Sequence, residues 1–166
     1  MSSPTTPDDL DALDARIDAW LADQLAQNPV VAAVDRDLES GERRWFVRVT
    51  GEQKDVFTIW FHLQQRTLHY ETYVMPAPEE NHAAFYEHLL RRNLKLYGAS
   101  FAIGDEDAVF LLGQVDNRFV TDDELDFAAQ HIDGDLLPQR VVDNAPREDQ
   151  SVAGHTGTLE RVDDAL

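Results

Sequence analysis

Four successive segments with the two-residue period of β-strands constrain the fold of this chain most. Polar turns around Gly41, Gly51 and Gln65 separate them. Runs of alternating apolar and polar residues bounded by such turns predict strands that pair in order. The pattern therefore predicts an antiparallel meander whose strands are Val30 to Asp37, Arg43 to Thr50, Asp55 to Leu63 and Thr67 to Val74.

A helix is predicted before the meander. Thr6 and Pro7 form a good helix start, because a hydroxyl can cap the first turn and proline there loses no hydrogen bond. Asn28 and Pro29 end the helix. Its apolar stripe consists of Leu10, Leu13, Ile17, Leu21 and Leu25. Four acidic residues lie mainly off that stripe and are interpreted as a solvated face: Asp11, Asp14, Asp18 and Asp23.

Two further helices and a hairpin are predicted after the meander. The second helix runs from Glu79 to Lys95, and Thr121 and Glu124 form a capping box for the third. The hairpin lies between these helices, with strands Ser100 to Ile103 and Ala108 to Val115. The apolar stripe of the second helix is Phe85, Tyr86, Leu89, Leu90 and Leu94. The fold class is therefore α+β, with element order αββββαββα.

Composition limits the classes of function. The 166 residues include no cysteine and carry a formal net charge of -18. The absence of cysteine excludes disulfides, thiolate nucleophiles and zinc-cysteine sites. An acidic surface repels phosphates and anionic lipids, so neither nucleic acid nor membrane is an expected partner. A start without an apolar segment, Met1 to Asp9, leads us to expect a cytoplasmic protein.

The chain is expected to hold one domain. Residues 1–6 are predicted to be a flexible N-terminus and residues 7–132 to form the α+β domain. Beyond Ile132 apolar residues become sparse and no period remains, so residues 133–166 are predicted to be an acidic, mostly disordered tail.

The predicted meander is apolar on both faces. A tight turn at residues 64–67 would pair residues whose numbers sum to about 131 and would place a set of apolar side chains on one face, the expected core. That set is Phe57, Ile59, Phe61, Leu63, Leu68, Tyr70 and Val74. The opposite face would carry Val56, Trp60 and Tyr73, together with either Phe46 or the set Trp45, Val47 and Val49. Large aromatic residues on this opposite face indicate that it too is covered, by a helix of this chain, another subunit or a bound segment.

Few residues suggest site chemistry. The same pairing places His62 opposite His69, with Glu71 on the same face, which suits either a Zn, Fe or Mn site or a hydrogen-bonded, solvent-facing pair. Arg91 and Arg92 form a cationic cluster near the end of the second helix, where they either cap the helix and form solvated salt bridges or dock an acidic partner or phosphate. The chain has no glycine-rich phosphate loop, nucleophile elbow or helical zinc motif, so we predict no enzyme and no cofactor.

Several segments resemble the actinobacterial branch of the YbjN family. They are Trp45–Arg48, Val74–Asn81, Leu89–Asn93 and Phe101–Gly104, and the resemblance runs from about Leu10 to Leu125. It implies a bacterial regulator with a fold similar to the dimeric type III secretion chaperones, in which helices pack on a curved antiparallel sheet. It implies no catalytic residues. The chain departs from the family pattern after Asp126, where the family continues a longer amphipathic helix.

Pattern and resemblance together predict a non-enzymatic, chaperone-like or regulatory adaptor. It would bind a protein partner through the apolar face of the sheet opposite the expected core, or across a homodimer surface. The predicted partner-binding residues are Phe46, Val56, Trp60, Tyr73, Arg91 and Arg92. The alternative is a small-ligand or metal-binding sensor that uses His62, His69 and Glu71.

Overall fold

A computed structural model describes residues 5–51 and 56–133, and for residues 130–133 it describes the backbone alone. The elements are α1 (Pro7–Gln27), β1 (Val31–Arg36), β2 (Arg43–Thr50), β3 (Val56–Leu63), β4 (Thr67–Met75), α2 (His82–Asn93), β5 (Ser100–Ile103), β6 (Val109–Asp116) and α3 (Asp122–Asp133). The predicted α+β class and element order are confirmed. Apart from residue 133, the predicted tail lies outside the described residues.

The strands of the described chain form one antiparallel sheet in the order β1-β2-β3-β4-β6-β5. The predicted pairing of β3 with β4 is confirmed, since Leu63 pairs with Leu68 and His62 with His69. After β4 the chain passes through α2 to the edge strand β5, and the hairpin then inserts β6 beside β4.

Side-chain caps fix the helix starts that the sequence predicts. At α1, the Oγ1 of Thr6 accepts a hydrogen bond from the Asp9 amide at 3.2 Å, and Asp9 Oδ2 accepts one from the Thr6 amide at 3.0 Å. At α3, the Oγ1 of Thr121 accepts a bond from the Glu124 amide at 3.2 Å. By contrast, α2 begins at His82, later than predicted, because Asn81 adopts a left-handed conformation (φ 56°) that cannot continue a helix.

The three helices bury their apolar residues against the same face of the sheet, which we call the inner face. The helices contribute Leu10, Ile17, Trp20, Leu21, Phe85, Leu89, Leu125 and Ala128. The strands contribute Trp45, Val47, Val49, Ile59, Phe61, Leu63, Leu68, Tyr70, Val74, Phe101, Val109 and Leu111. The predicted core face is confirmed.

Some predicted apolar stripe positions are exposed. They are Leu25, Leu90 and Leu94. Leu90 directly follows the buried Leu89 and therefore points about 100° away from it around the helix axis. Leu94 lies beyond the last residue of α2, and Leu25 lies in the last turn of α1.

The acidic face of α1 is more than a solvated surface. The side chain of Asp14 is only 13% exposed and accepts hydrogen bonds from Arg36 Nη2 at 2.8 Å and Arg43 Nε at 3.0 Å. Asp18 Oδ1 accepts a bond from the Trp45 indole at 2.6 Å. The interpretation as a solvated face was incomplete, because arginines on the adjacent β1 and β2 strands pair with these carboxylates.

We expect Asp14→Ala to destabilise the protein by about 2 kcal/mol, since hydrogen bonds to charged groups contribute about 1.5–3 kcal/mol each. Arg36 and Arg43 would each lose one of their two carboxylate partners and keep the other, Asp18 and Asp11 respectively. Asp23 is exposed on the same helix, so Asp23→Ala should change stability by less than about 0.5 kcal/mol. Urea titrations of both variants measure the difference. Equal losses would show that the Asp14 pairs make no net contribution.

Candidate functional site

The outer face of the sheet, opposite the three helices, carries a row of aromatic side chains. Phe46 on β2 pairs with Trp60 on β3, and Tyr73 on β4 pairs with Phe110 on β6. The ring centroids of Trp60 and Phe110 lie 6.2 Å apart, and those of Tyr73 and Phe110 lie 5.7 Å apart with the rings nearly perpendicular. We call these four residues the aromatic strip.

The β2–β3 register decides which β2 residues share this face with Trp60. Because Phe46 pairs directly with Trp60, it lies on the outer face. Trp45, Val47 and Val49 are buried in the core on the inner face. Of the two alternatives that the sequence left open, the structure therefore selects Phe46.

The outer face remains accessible to solvent. Tyr73 is 43% exposed and the neighbouring Val56 is 59% exposed, while Phe46, Trp60 and Phe110 are partly exposed. All three helices bury their apolar residues on the inner face. Within the described part of the chain, no helix therefore covers the aromatic strip.

A groove of about 340 Å³ lies at one end of the aromatic strip. Phe46 and Trp60 supply its apolar wall. Its polar lining consists of Arg44, His62, Gln64, His69 and Glu71. The groove thus combines aromatic surface with groups of both charges, which suits a mixed apolar and polar ligand surface.

The surroundings of His62 in this groove lower its pKa. Burial lowers the pKa of His62 below its ordinary value, and the Arg44 guanidinium lowers it further, although Glu42 acts in the opposite direction. The Nε2 of His62 lies 3.6 Å from Glu42 Oε2, and Gln64 Nε2 lies 3.3 Å from its Nδ1. The lowered pKa favours the neutral imidazole, which has a hydrogen-bond partner in this groove, the Gln64 side chain.

The possible metal ligands named from the sequence share this groove. His62 and His69 are paired across β3 and β4, and Glu71 lies two residues along on the same face. However, among the residues that the structure describes, no three histidine, aspartate or glutamate side chains are placed to hold one ion.

The structure does not bring Arg91 and Arg92 to the outer face. Both lie in the last turn of α2, which buries Phe85 and Leu89 on the inner side of the sheet. Arg91 pairs with Glu87 one turn earlier, with Nη2 and Oε1 2.6 Å apart. These arginines therefore belong to a surface separate from the aromatic strip.

Sequence reasoning missed Phe110 and Leu112, the contribution of β6 to the outer face. Their signal is the unbroken apolar run Val109–Leu112, which is typical of a strand covered on both faces. Gly104 gives the Phe110 ring its room, because a Cβ there would lie 2.7 Å from two ring carbons. The run could not be assigned to this face without knowing that β6 pairs with β4.

No helix within residues 5–51 and 56–133 is long and apolar enough to span a bilayer.

The sequence model of the YbjN family, described as "Putative bacterial sensory transduction regulator", matches residues 14–131. An uncharacterized protein of Mycobacterium leprae (strain TN) is 29% identical over 86 residues, which cover 52% of this chain and 47% of that protein. Uncharacterized proteins of Mycobacterium bovis and Mycobacterium tuberculosis are each 31% identical over 80 residues, which cover 48% of this chain and 44% of theirs. The chain thus spans less than half the length of each of these relatives.

Proposed function

The chain belongs to the YbjN family, and we propose that it is a non-enzymatic regulatory adaptor that binds a protein partner through the outer face of its sheet. The family description supports a regulatory role. The sequence supports a role without catalysis, because it has neither a phosphate-binding loop nor a nucleophile elbow.

The observation that carries the proposal is the uncovered aromatic strip. Tryptophan, tyrosine and arginine are the residues most enriched among those that dominate binding energy at protein interfaces. Here Trp60 and Tyr73 lie on one open face, and Arg44 and Arg48 project from β2 on the same side as Phe46. A partner that covers the strip would bury aromatic area that the described helices leave exposed.

The edges of the sheet are less suited to binding than its face. The edge strand β5 has only four residues, and β1 is irregular between Val31 and Ala33 and ends in the charged pair Asp35 and Arg36. Short strands, bulges and charged residues are features that hinder strand addition at an edge. We therefore place the partner on the face, where side chains rather than backbone groups make the contacts.

Trp60→Ala tests the proposal, with Leu38→Ala as its matched control. Leu38 is 81% exposed in the turn between β1 and β2 and lies outside the aromatic strip. We expect a protein captured from a lysate of the source bacterium by the wild-type chain to bind Trp60→Ala at least about 30-fold more weakly, the loss of about 2 kcal/mol typical of a dominant interface residue. Binding to Leu38→Ala should be unchanged.

Titration of the purified partner against each variant supplies the affinities, and light scattering over a range of concentrations supplies the oligomeric state. Equal affinity of Trp60→Ala and wild type would exclude the aromatic strip as the binding surface. A wild-type homodimer that Trp60→Ala dissociates would show that a second copy covers the strip, in place of a different protein.

A further inference from the structure

A second cavity, of about 290 Å³, lies on the inner side of the sheet between α1, α3 and the first three strands. Most of its lining residues are apolar, but Gln24, Asn28 and Asp126 make about half of its exposed surface polar. Its apolar lining combines the partly exposed Val30, Val31 and Ala129 with five almost fully buried core residues, Leu21, Val47, Val49, Ile59 and Phe61. The cavity is separate from the groove on the outer face, with which it shares only Phe61.

A hydrogen-bonded set of polar side chains lies at one side of this cavity. The Trp20 indole donates to Asp126 Oδ1 at 2.8 Å, and Gln24 Nε2 donates to the same oxygen at 3.1 Å. Asn28 Nδ2 donates to Gln24 Oε1 at 3.1 Å, and its Oδ1 accepts the Val30 amide at 3.2 Å. The two amide side chains thus have both their donor and acceptor atoms engaged.

Asp126 is the only charged residue among the described residues that line the cavity. Both of its hydrogen bonds use Oδ1, so Oδ2 accepts none within the described part of the chain. No lysine, arginine or histidine of that part forms an ion pair with it, in contrast to Asp14, which pairs with two arginines. A cavity lined by both apolar and polar residues therefore carries at its side a carboxylate oxygen that can accept a hydrogen bond from a cation.

We infer that this cavity binds a small apolar molecule that carries a protonated amine. An apolar cavity of about 150 Å³ is large enough for benzene, so the volume here admits a short alkyl chain or a substituted ring. The hydrocarbon part would lie against the partly exposed Val30, Val31 and Ala129, while the ammonium group would donate to Asp126 Oδ2 as a charge-assisted hydrogen bond. The formal net charge of -18 also favours a cation over a carboxylate of the same size.

The inference goes beyond the proposed partner binding, since it concerns the opposite side of the sheet. β3 connects the two sites, because Ile59 and Phe61 face the cavity and Trp60 between them faces outward. The cavity can therefore be tested without reference to any protein partner.

The test titrates the full chain with n-hexylamine and, as matched probes, 1-hexanol and hexanoate. NMR of the indole N–H groups reports binding, and Trp20→Phe assigns the Trp20 signal among the three tryptophans. We expect hexylamine to shift the Trp20 signal saturably, 1-hexanol to bind at least tenfold more weakly, and hexanoate not to bind. Absence of a saturable shift with hexylamine, or equal affinity for the alcohol, would overturn the inference.

Asp126→Asn isolates the charge, because the amide oxygen can still accept from Trp20 and Gln24. We expect it to weaken hexylamine binding at least tenfold and to leave 1-hexanol binding unchanged. Asp123→Asn is the control, since Asp123 is exposed on the same helix. Ala129→Leu, which adds volume to the cavity wall, should abolish binding of both probes. Hexylamine binding that survives Asp126→Asn, or that Asp123→Asn weakens equally, would assign the amine to surface carboxylates and overturn the inference.

Discussion

Replacing Gly113 by alanine should destabilise the protein by about 3 kcal/mol, the upper part of the range for added volume in a packed core. A Cβ at this position would clash with the Gly98 carbonyl oxygen and would lie 2.5 Å from two carbons of the Tyr70 ring. Because the nearest of these atoms belongs to the backbone, no rotation of a side chain can relieve the contact. The connection between α2 and β5 would have to move away from the sheet.

The two residues that approach Gly113, Tyr70 and Gly98, are themselves joined by a hydrogen bond. The Tyr70 hydroxyl donates to the Gly98 carbonyl at 2.5 Å, and Gly98 itself has a left-handed backbone (φ 77°). Burial raises the pKa of Tyr70 to about 12, so the hydroxyl keeps its proton through the neutral pH range. Displacing Gly98 would therefore cost this bond in addition to the packing around it.

Gly41→Ala is the control for Gly113→Ala. Gly41 also has a left-handed backbone (φ 74°), but no heavy atom lies within 4 Å of the position of a Cβ there. Gly41→Ala should therefore lower the free energy of unfolding by only about 1 kcal/mol, the cost of a left-handed backbone at alanine. Urea unfolding of both variants measures the two terms separately. A loss at Gly113 no greater than that at Gly41 would show that the Gly98 segment yields easily and that the close approach adds no stability.

Local signals predicted much of the fold. The tight turn before Thr67 fixes the pairing of His62 with His69, and the hydroxyl of Thr6 fixes the start of α1. Both depend on residues close together in sequence, where period and turn chemistry determine the geometry. The role of Gly113 could not be predicted, because it depends on the pairing of Gly113 on β6 with Tyr70 on β4 and on the approach of Gly98, which lies between α2 and β5.

The candidate site was predicted only in part, because some of its residues come together through long-range strand pairing. Trp60 and Tyr73 follow from the β3–β4 hairpin, whereas placing Phe46 required the β2–β3 register, which the sequence left open. Phe110 required the position of β6 in the sheet. The ion pairs of Asp14 were likewise missed, since a helical period shows where a carboxylate points along its own helix and not which strand it meets.

Replacing Trp45 on β2 should destabilise the protein far more than replacing Trp60 on the adjacent strand β3. Trp45 is 1% exposed, donates to Asp18 and has the Arg36 guanidinium 5.1 Å from its ring centroid, so Trp45→Ala should cost about 4 kcal/mol. Trp60 is only partly buried and contacts Phe110 on the open face. Its replacement by alanine should cost about 1 kcal/mol, in the ordinary range for a single substitution outside the core.

Chemical denaturation of both variants at two protein concentrations, about tenfold apart, separates burial within the chain from burial under another copy. The loss at Trp45 should be the same at both concentrations, because its contacts lie within one chain. A small loss at Trp60 that is also independent of concentration is expected if the aromatic strip is open until a different protein binds it. If the loss at Trp60 instead approaches that at Trp45 and changes with concentration, the indole lies under a second copy of the chain. That result would identify the aromatic strip as a homodimer interface, because residues buried under a second copy cannot also bind a different protein.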